Sequence, residues 1–430
     1  MKITQIHARE ILDSRGNPTI ETKVWLEDGS IGQFGVPSGA STGVHEAWEL
    51  RDGDESRYGG KGVLKPCQNV NMNIANLLQG RDVFDQRGID QAMIQLDGDQ
   101  QKKNYGANAI LSVSIACAKA AANARRMPLY TYLREFFMSF YSLEGYIIPV
   151  PMFNVINGGA HADNNLDVQE FMIGPLGAPT FSEAVRYGAE VFHTLEKILK
   201  TKGLSTNVGN EGGFAPNLAS NEEAIKVVQD AIKQANYEPR KQIGIGMDVA
   251  ASEFFDKGNY ILHSEGKEQK YTTDAMIKFL GDWINKYELI AVEDGLAEDD
   301  WDGWAKLNAQ YGSQVQIVGD DFLVTNKERV YKAIQTKACN SVLIKVNQIG
   351  SLTETYETIA LAYQNGLSSF ISHRSGETVD TFIADLSVAV NAPRIKSGAP
   401  SRSERVAKYN RLMEIEADLG TNARYAGSSA

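Results

Sequence analysis

Two hydrophobic periods divide this chain. In the first part, apolar and polar residues alternate over Ile3 to Arg9, Ile20 to Leu26 and Ile31 to Val36, with Asp28-Gly29 between the last two. Alternation marks half-buried strands, and Asp-Gly marks a tight hairpin, so an antiparallel three-stranded meander is expected. Helical spacing follows, most clearly over Asn108 to Arg126, an Ala-rich stretch that Met127-Pro128 closes or kinks. Strands followed by helices predict a small α+β domain over residues 1–140.

From Tyr146 the pattern changes. Glu222 to Asn236, Asp299 to Asn308 and Thr353 to Tyr363 read as helices, and short unbroken apolar runs lie between such stretches. Each run ends in an ionisable residue: Ile243 to Met247 in Asp248, Leu289 to Val292 in Glu293, and Val315 to Val318, through Gly319, in Asp320 and Asp321. Val342 to Ile344 ends in Lys345, Phe370 to Ser372 in His373 and Arg374, and Ile395 in Lys396. Unbroken apolar runs are strands buried on both faces of a parallel sheet. Charge at one end of many such strands is the C-terminal mouth of a β/α barrel, and the strand ends recur about every 25 residues, as β/α units do. The expected fold class is therefore α/β, a C-terminal β/α barrel over residues 141–420 capped by the N-terminal α+β domain, with a frayed tail over 421–430.

Composition narrows the function. The chain has 430 residues, too many for one core, and a net charge of −11, which argues against direct nucleic-acid binding. Its three cysteines, Cys67, Cys117 and Cys339, make no disulfide framework. No secretory signal or membrane-length apolar segment is visible, so a cytoplasmic protein is expected.

The strand ends hold the candidate chemistry. Asp248, Glu293 and Asp320 form a hard-oxygen set suited to Mg²⁺. Lys345 sits among apolar strand residues, where an ammonium is costly unless paired or functional. With Lys396 and metal charge nearby, its pKa could fall enough for it to act as a base; a purely structural charge network is the alternative. Arg374 and Ser375, beside His373, offer a phosphate clamp. His161 and Glu211 lie in Gly-rich loops, and Gln169 and Glu170 on the apolar run Val168 to Ile173. Gly39 to Gly43 fits the G-x-S-x-G nucleophile pattern but follows an antiparallel meander, so a loop that closes over a site fits better. Gly244-Ile245-Gly246 lacks the rest of a dinucleotide fingerprint.

Taken together, these residues resemble the enolase (phosphopyruvate hydratase) family, most closely its bacterial form. The likeness runs from Arg9 to Thr19 through Ser38 to Gly43, Gly106 to Ile110, His161 to Asn164, Asn210 to Pro216 and Ile344 to Thr355, to Ser372 to Thr378. The resemblance implies an enolase-type barrel with an altered first hairpin, and reversible dehydration of 2-phosphoglycerate to phosphoenolpyruvate in glycolysis and gluconeogenesis. It implies Lys345 as base and Glu211 as general acid, with Asp248, Glu293 and Asp320 on one Mg²⁺ and Ser41 helping to hold a second. His373, Arg374 and Ser375 would receive phosphate and Lys396 the substrate carboxylate, with His161, Gln169 and Glu170 completing the pocket. On this mechanism Lys345 must be neutral and Glu211 protonated. A homo-oligomer, dimer or octamer, is implied. Side roles in an RNA-degradation assembly, or at the cell surface or in a secreted fraction with host proteins, are permitted. Another superfamily dehydratase or racemase acting on acid sugars is the runner-up, since it needs the carboxylates but not the phosphate clamp.

Overall fold

The computed structural model describes residues 1–39, 43–263 and 267–427. Ile3–Leu12, Pro18–Leu26 and Ile31–Gly35 form the expected antiparallel meander, paired in chain order. The Ala-rich helix spans Ala107–Ala124 and lies across this sheet, buried along almost its whole length. Its composition follows from how close it sits. A Cβ placed on Gly32 would lie 2.0 Å from the Ala116 carbonyl oxygen and 2.3 Å from the Ala120 nitrogen. The helix stops short of the expected Arg126, which takes a left-handed φ of +53°, and Leu129–Phe137 starts anew after Pro128.

Eight strands close the barrel: Val150–Asn157, Glu170–Gly174, Gly244–Asp248, Ala291–Glu293, Gln316–Gly319, Ser341–Ile344, Ser368–Ser372 and Arg394–Lys396. Glu170–Gly174 runs antiparallel to both neighbours, and the remaining neighbouring pairs are parallel. Gly244-Ile245-Gly246 lies inside the third strand, not at a strand-to-helix turn. Two helices, Phe181–Thr201 and Asn221–Gln234, fill the connection between the second and third strands. Ser220 and Ser351 cap Asn221–Gln234 and Leu352–Gln364 by accepting the Glu223 and Glu354 N–H groups, so each helix begins one residue before its apolar pattern suggests.

The barrel interior is built in layers. Met152, Met172, Ala291, Val318, Leu343 and Phe370 form an apolar plug. Strand side chains alternate in direction, so positions two residues nearer the mouth share the same inward face. Those positions are Asn154, Glu170, Glu293, Asp320, Lys345 and Ser372, with Asp248 and Lys396 in register beside them. The plug holds the strands; the next layer up is where the ionisable groups meet.

The end of the chain differs from expectation. Ala423–Tyr425, within the stretch expected to fray, pairs parallel with Tyr146–Ile148. Tyr425 donates its hydroxyl to the Pro175 carbonyl at 2.8 Å, and Ala426 packs with the plug. The strand pairing, the tyrosine's hydrogen bond and the burial of Ala426 tie the segment down. The capping domain is bonded to the barrel rim as well: Asp90 accepts from the Thr353 N–H and hydroxyl at 2.9 and 2.6 Å, and Lys102 pairs with Glu354 at 3.0 Å. Among the described residues no helix is long and apolar enough to cross a membrane.

The helix contact at Gly32 is testable. Gly32→Val forces Ala107–Ala124 off the sheet and is expected to cost at least about 1–3 kcal/mol, read as a lower denaturant midpoint. An unchanged midpoint would show that the helix does not sit this close.

Candidate active site

A narrow cleft opens at the barrel mouth, lined by His161, Gln169, Glu170, Glu211, Asp248, Lys345, Ser372, His373, Arg374, Ser375 and Lys396. Glu293 and Asp320 join it through the two lysines. Ser41 lies outside the described residues, as does most of the G-x-S-x-G stretch.

Strand register explains the convergence. Glu293 and Glu170 both pair with Asp248, so three carboxylates stand side by side. Glu170 reaches this end only because its strand is reversed. Lys396 enters from the last strand, its ammonium 3.0 Å from Glu170, 3.1 Å from Asp248 and 2.8 Å from Glu293. All four residues are buried. Burial opposes the Lys396 charge, but the surrounding acids outweigh it and hold its pKa well above the usual lysine range. Burial and then Asp248 raise Glu293; burial and then Glu211 raise Glu170. Gln169 donates to Asp248 at 3.1 Å.

The third expected metal carboxylate has a different partner. Asp320 receives the Lys345 ammonium on one oxygen and the Gln348 amide on the other at 2.9 Å. Its backbone N–H, with that of Asp321, donates to Asp294 at 2.8 Å each. Among the described residues, the possible ligand atoms converging within 4.8 Å are those of Asp294, Asp320 and Asp321, and those of His161, Glu170 and Glu211. Crowding shows in the protonation: burial and Asp320 push Asp321 up to about 8.

The donor set fits a hard divalent cation. It consists of carboxylate and amide oxygens, as Mg²⁺ prefers. One oxygen each of Glu170, Glu293 and Gln169 is buried with no hydrogen-bond partner among the described residues, and such atoms are costly unless something else binds them. Asp294, Asp320 and Asp321 could hold such an ion where their oxygens converge, while the unpartnered oxygens lie on Glu170, Glu293 and Gln169; the expected set of Asp248, Glu293 and Asp320 does not converge as one group.

Glu211 is fixed, not presented on a pliant loop. A Cβ on Gly209, Gly212 or Gly213 would meet His161 O, Ser401 O or Asn154 O at 2.6, 2.7 and 2.8 Å, so these glycines let the loop wedge between strands. One Glu211 oxygen accepts from Asn154 at 3.0 Å and lies 3.2 Å from His373 Nε2. The other faces His161 Nδ1 at 3.6 Å. Burial opposes the Glu211 charge, but His373, His161 and Arg405 together hold its pKa well below the usual range. Lys345 also departs from expectation: burial would lower its pKa, but Asp320 and Asp321 reverse the sign and raise it. With only the chain's own charges counted, both groups hold the protonation opposite to the one the resemblance requires.

Arg374 is engaged too. Its guanidinium forms a two-pronged pair with Glu46 at 3.0 and 3.1 Å and donates to Asn347 at 3.0 Å. Glu46, Asn154, Gln348, Asp294 and Arg405 escaped sequence reasoning. Asp294 directly follows Glu293 at a strand end and could have been found. Arg402, Arg405 and Lys408 recur every third residue, a pattern that reads as a solvated helix face, yet Arg405 and Lys408 are buried.

A barrel with one reversed strand, whose mouth gathers acids, a buried and a half-buried lysine and a buried arginine beneath a capping domain, is the architecture of an enolase-superfamily lyase. The chain belongs to the enolase family: its residues 3–133 match the enolase N-terminal domain and residues 145–430 the enolase C-terminal TIM barrel domain.

Glu46 occupies the side chain expected to receive phosphate, so Glu46→Gln should strengthen inorganic phosphate binding about tenfold by calorimetry, by removing a competing anion. It should also lower stability, since a buried arginine loses its partner. Weaker or unchanged phosphate affinity would show that Arg374 is not the receiving group.

Proposed function

We propose that this protein reversibly dehydrates 2-phospho-D-glycerate to phosphoenolpyruvate. The observation that carries the reading is one cleft holding Lys345, Glu211, Lys396 and Arg374 around a cage of buried carboxylates. Each substrate group has a counterpart of matching chemistry. Arg374, with Ser375, receives the phosphate, while His373, expected to join them, already turns its ring nitrogens to Arg405 and Glu211; Lys396 faces the substrate carboxylate. Lys345 takes the proton from carbon 2. Glu211 gives its proton to the departing hydroxide of carbon 3, which leaves as water.

The proton on carbon 2 is weakly acidic because it lies beside a carboxylate, and its removal places a second negative charge there. Magnesium held at the carboxylates would supply electrostatic stabilisation of that charge, one or two Mg²⁺ being usual in enolase-superfamily sites. Asp248, Glu293 and Asp320 would hold one, and Ser41 would contribute to a second.

The chain's own residues do the rest. Asp320 is the chief group favouring the Lys345 ammonium, so engaging Asp320 elsewhere frees Lys345 to act as a base. Glu170, whose pKa is raised by burial and Glu211, can exchange a proton with the Glu211 side of the pocket. On this reading the protein works in glycolysis and gluconeogenesis, in the cytoplasm, as a homo-oligomer.

Conversion of 2-phosphoglycerate, followed by ultraviolet absorbance, should require Mg²⁺ and stop on chelation. Lys345→Ala should lose at least about 100-fold in kcat, the scale of a general base, while keeping its fold by circular dichroism. No turnover of this substrate alongside turnover of an unphosphorylated acid sugar would overturn the assignment.

A further inference from the structure

We infer that Arg405 is a positioning residue that fixes the tautomer of His373, making Nε2 the protonated nitrogen and assigning each Glu211 oxygen a separate task. This rests on the proposed role of Glu211 as the acid. Arg405 lies on the C-terminal helix Ser403–Leu419 and is fully buried. One of its nitrogens contacts His373 Nδ1. A guanidinium has only donors, so Nδ1 must accept and must be unprotonated. The neutral ring therefore carries its hydrogen on Nε2, whichever hydrogen positions are drawn.

The same guanidinium holds the surroundings. It donates to Arg374 O and Ser375 O at 2.6 Å each, and to Asn210 O at 3.1 Å. Asn210 precedes Glu211, so one side chain locks both the histidine segment and the acid-bearing loop. The His373 N–H adds a bond to Lys396 O at 2.9 Å, which removes the remaining freedom of the ring's backbone.

Consequences for Glu211 follow. Its Oε2 accepts from Asn154 Nδ2 at 3.0 Å and has His373 Nε2 3.2 Å away, close but outside hydrogen-bond geometry. That oxygen is therefore the one facing N–H groups, and it is the better placed of the two to accept. A proton on Glu211 is then favoured on Oε1, the oxygen that faces His161 Nδ1 at 3.6 Å. Were His373 to take the other tautomer, Nε2 would become an acceptor against Oε2, and the acid's proton would be drawn to the wrong oxygen.

The charged groups facing the imidazole are Glu211 from the Gly-rich loop, Lys396 from the last strand and Arg405 from the helix. Burial, reinforced by Arg405 and Lys396, brings His373 down to about 3 despite Glu211. It stays a neutral donor throughout the working pH range.

Nitrogen-15 NMR of the histidine-labelled, unmodified protein tests this directly, with the His373 signals assigned by their loss in His373→Gln. From pH 5 to 9, Nδ1 should show the unprotonated and Nε2 the protonated signature. A protonated Nδ1, or an imidazolium near neutral pH, overturns the inference without bearing on whether the protein turns over 2-phosphoglycerate. Arg405→Gln, whose amide can accept as well as donate, should give mixed tautomers and lose at least about tenfold in kcat with KM changed less than threefold. Arg405→Lys, a donor only, should restore the single tautomer and most of the rate. An Arg405→Gln enzyme that folds, keeps one tautomer and keeps its rate also overturns it.

Discussion

Three buried carboxylates, Glu170, Asp248 and Glu293, share one ammonium at the centre of the barrel mouth, that of Lys396. Such a group is costly to assemble. Each charge gives up water, and the mutual attraction repays this only when geometry is tight. Here the barrel provides the geometry. The apolar plug fixes the strands, alternation sets which residues turn inward, and register places the four groups side by side. Removing the lysine alone would leave like charges packed together in a dry layer, so it stabilises the site as well as serving it.

The reversed second strand matters for the same reason. A parallel strand would deliver its last residue to the mouth, whereas this one delivers its first, Glu170, opposite Asp248. Carboxylates at this end then outnumber the cations, counting Glu211, Asp294, Asp320 and Asp321 against Lys345, Lys396 and Arg374. The chain answers in part by raising several of these acids' pKa values. A divalent cation would answer the rest. Lys345 and Arg374, meanwhile, rest on internal anions, Asp320 and Glu46. On the proposed function, substrate and metal would compete with these pairs instead of entering an unpaired site, and binding would be coupled to the protonation of Lys345.

Much of this was legible in the chain. Unbroken apolar runs ending in Asp248, Glu293, Lys345 and Lys396 announce buried parallel strands and an active mouth, because burial on both faces leaves no other place for charge. Glu170 was harder to place, since an apolar run does not reveal its direction. Pairings made across long sequence distances, such as Glu46 with Arg374 or Arg405 with His373, leave no local period. Arg405 and Lys408 were hidden for a further reason: a basic stripe on a helix ordinarily means solvent, and only the backbone carbonyls and acids awaiting them in the fold make it an interior face. The tail at Ala423–Tyr425 reads as polar and small, yet one tyrosine is enough to seat it.

The central claim is that the carboxylate layer is a cation site balanced by Lys396. Calorimetric titration of Mg²⁺ into the unmodified protein and Glu293→Gln tests it most directly, because it needs no substrate. The account predicts at least about tenfold weaker binding in the variant, with its fold retained. Equal Mg²⁺ affinity in the two proteins would contradict it and leave the acids as a structural charge network.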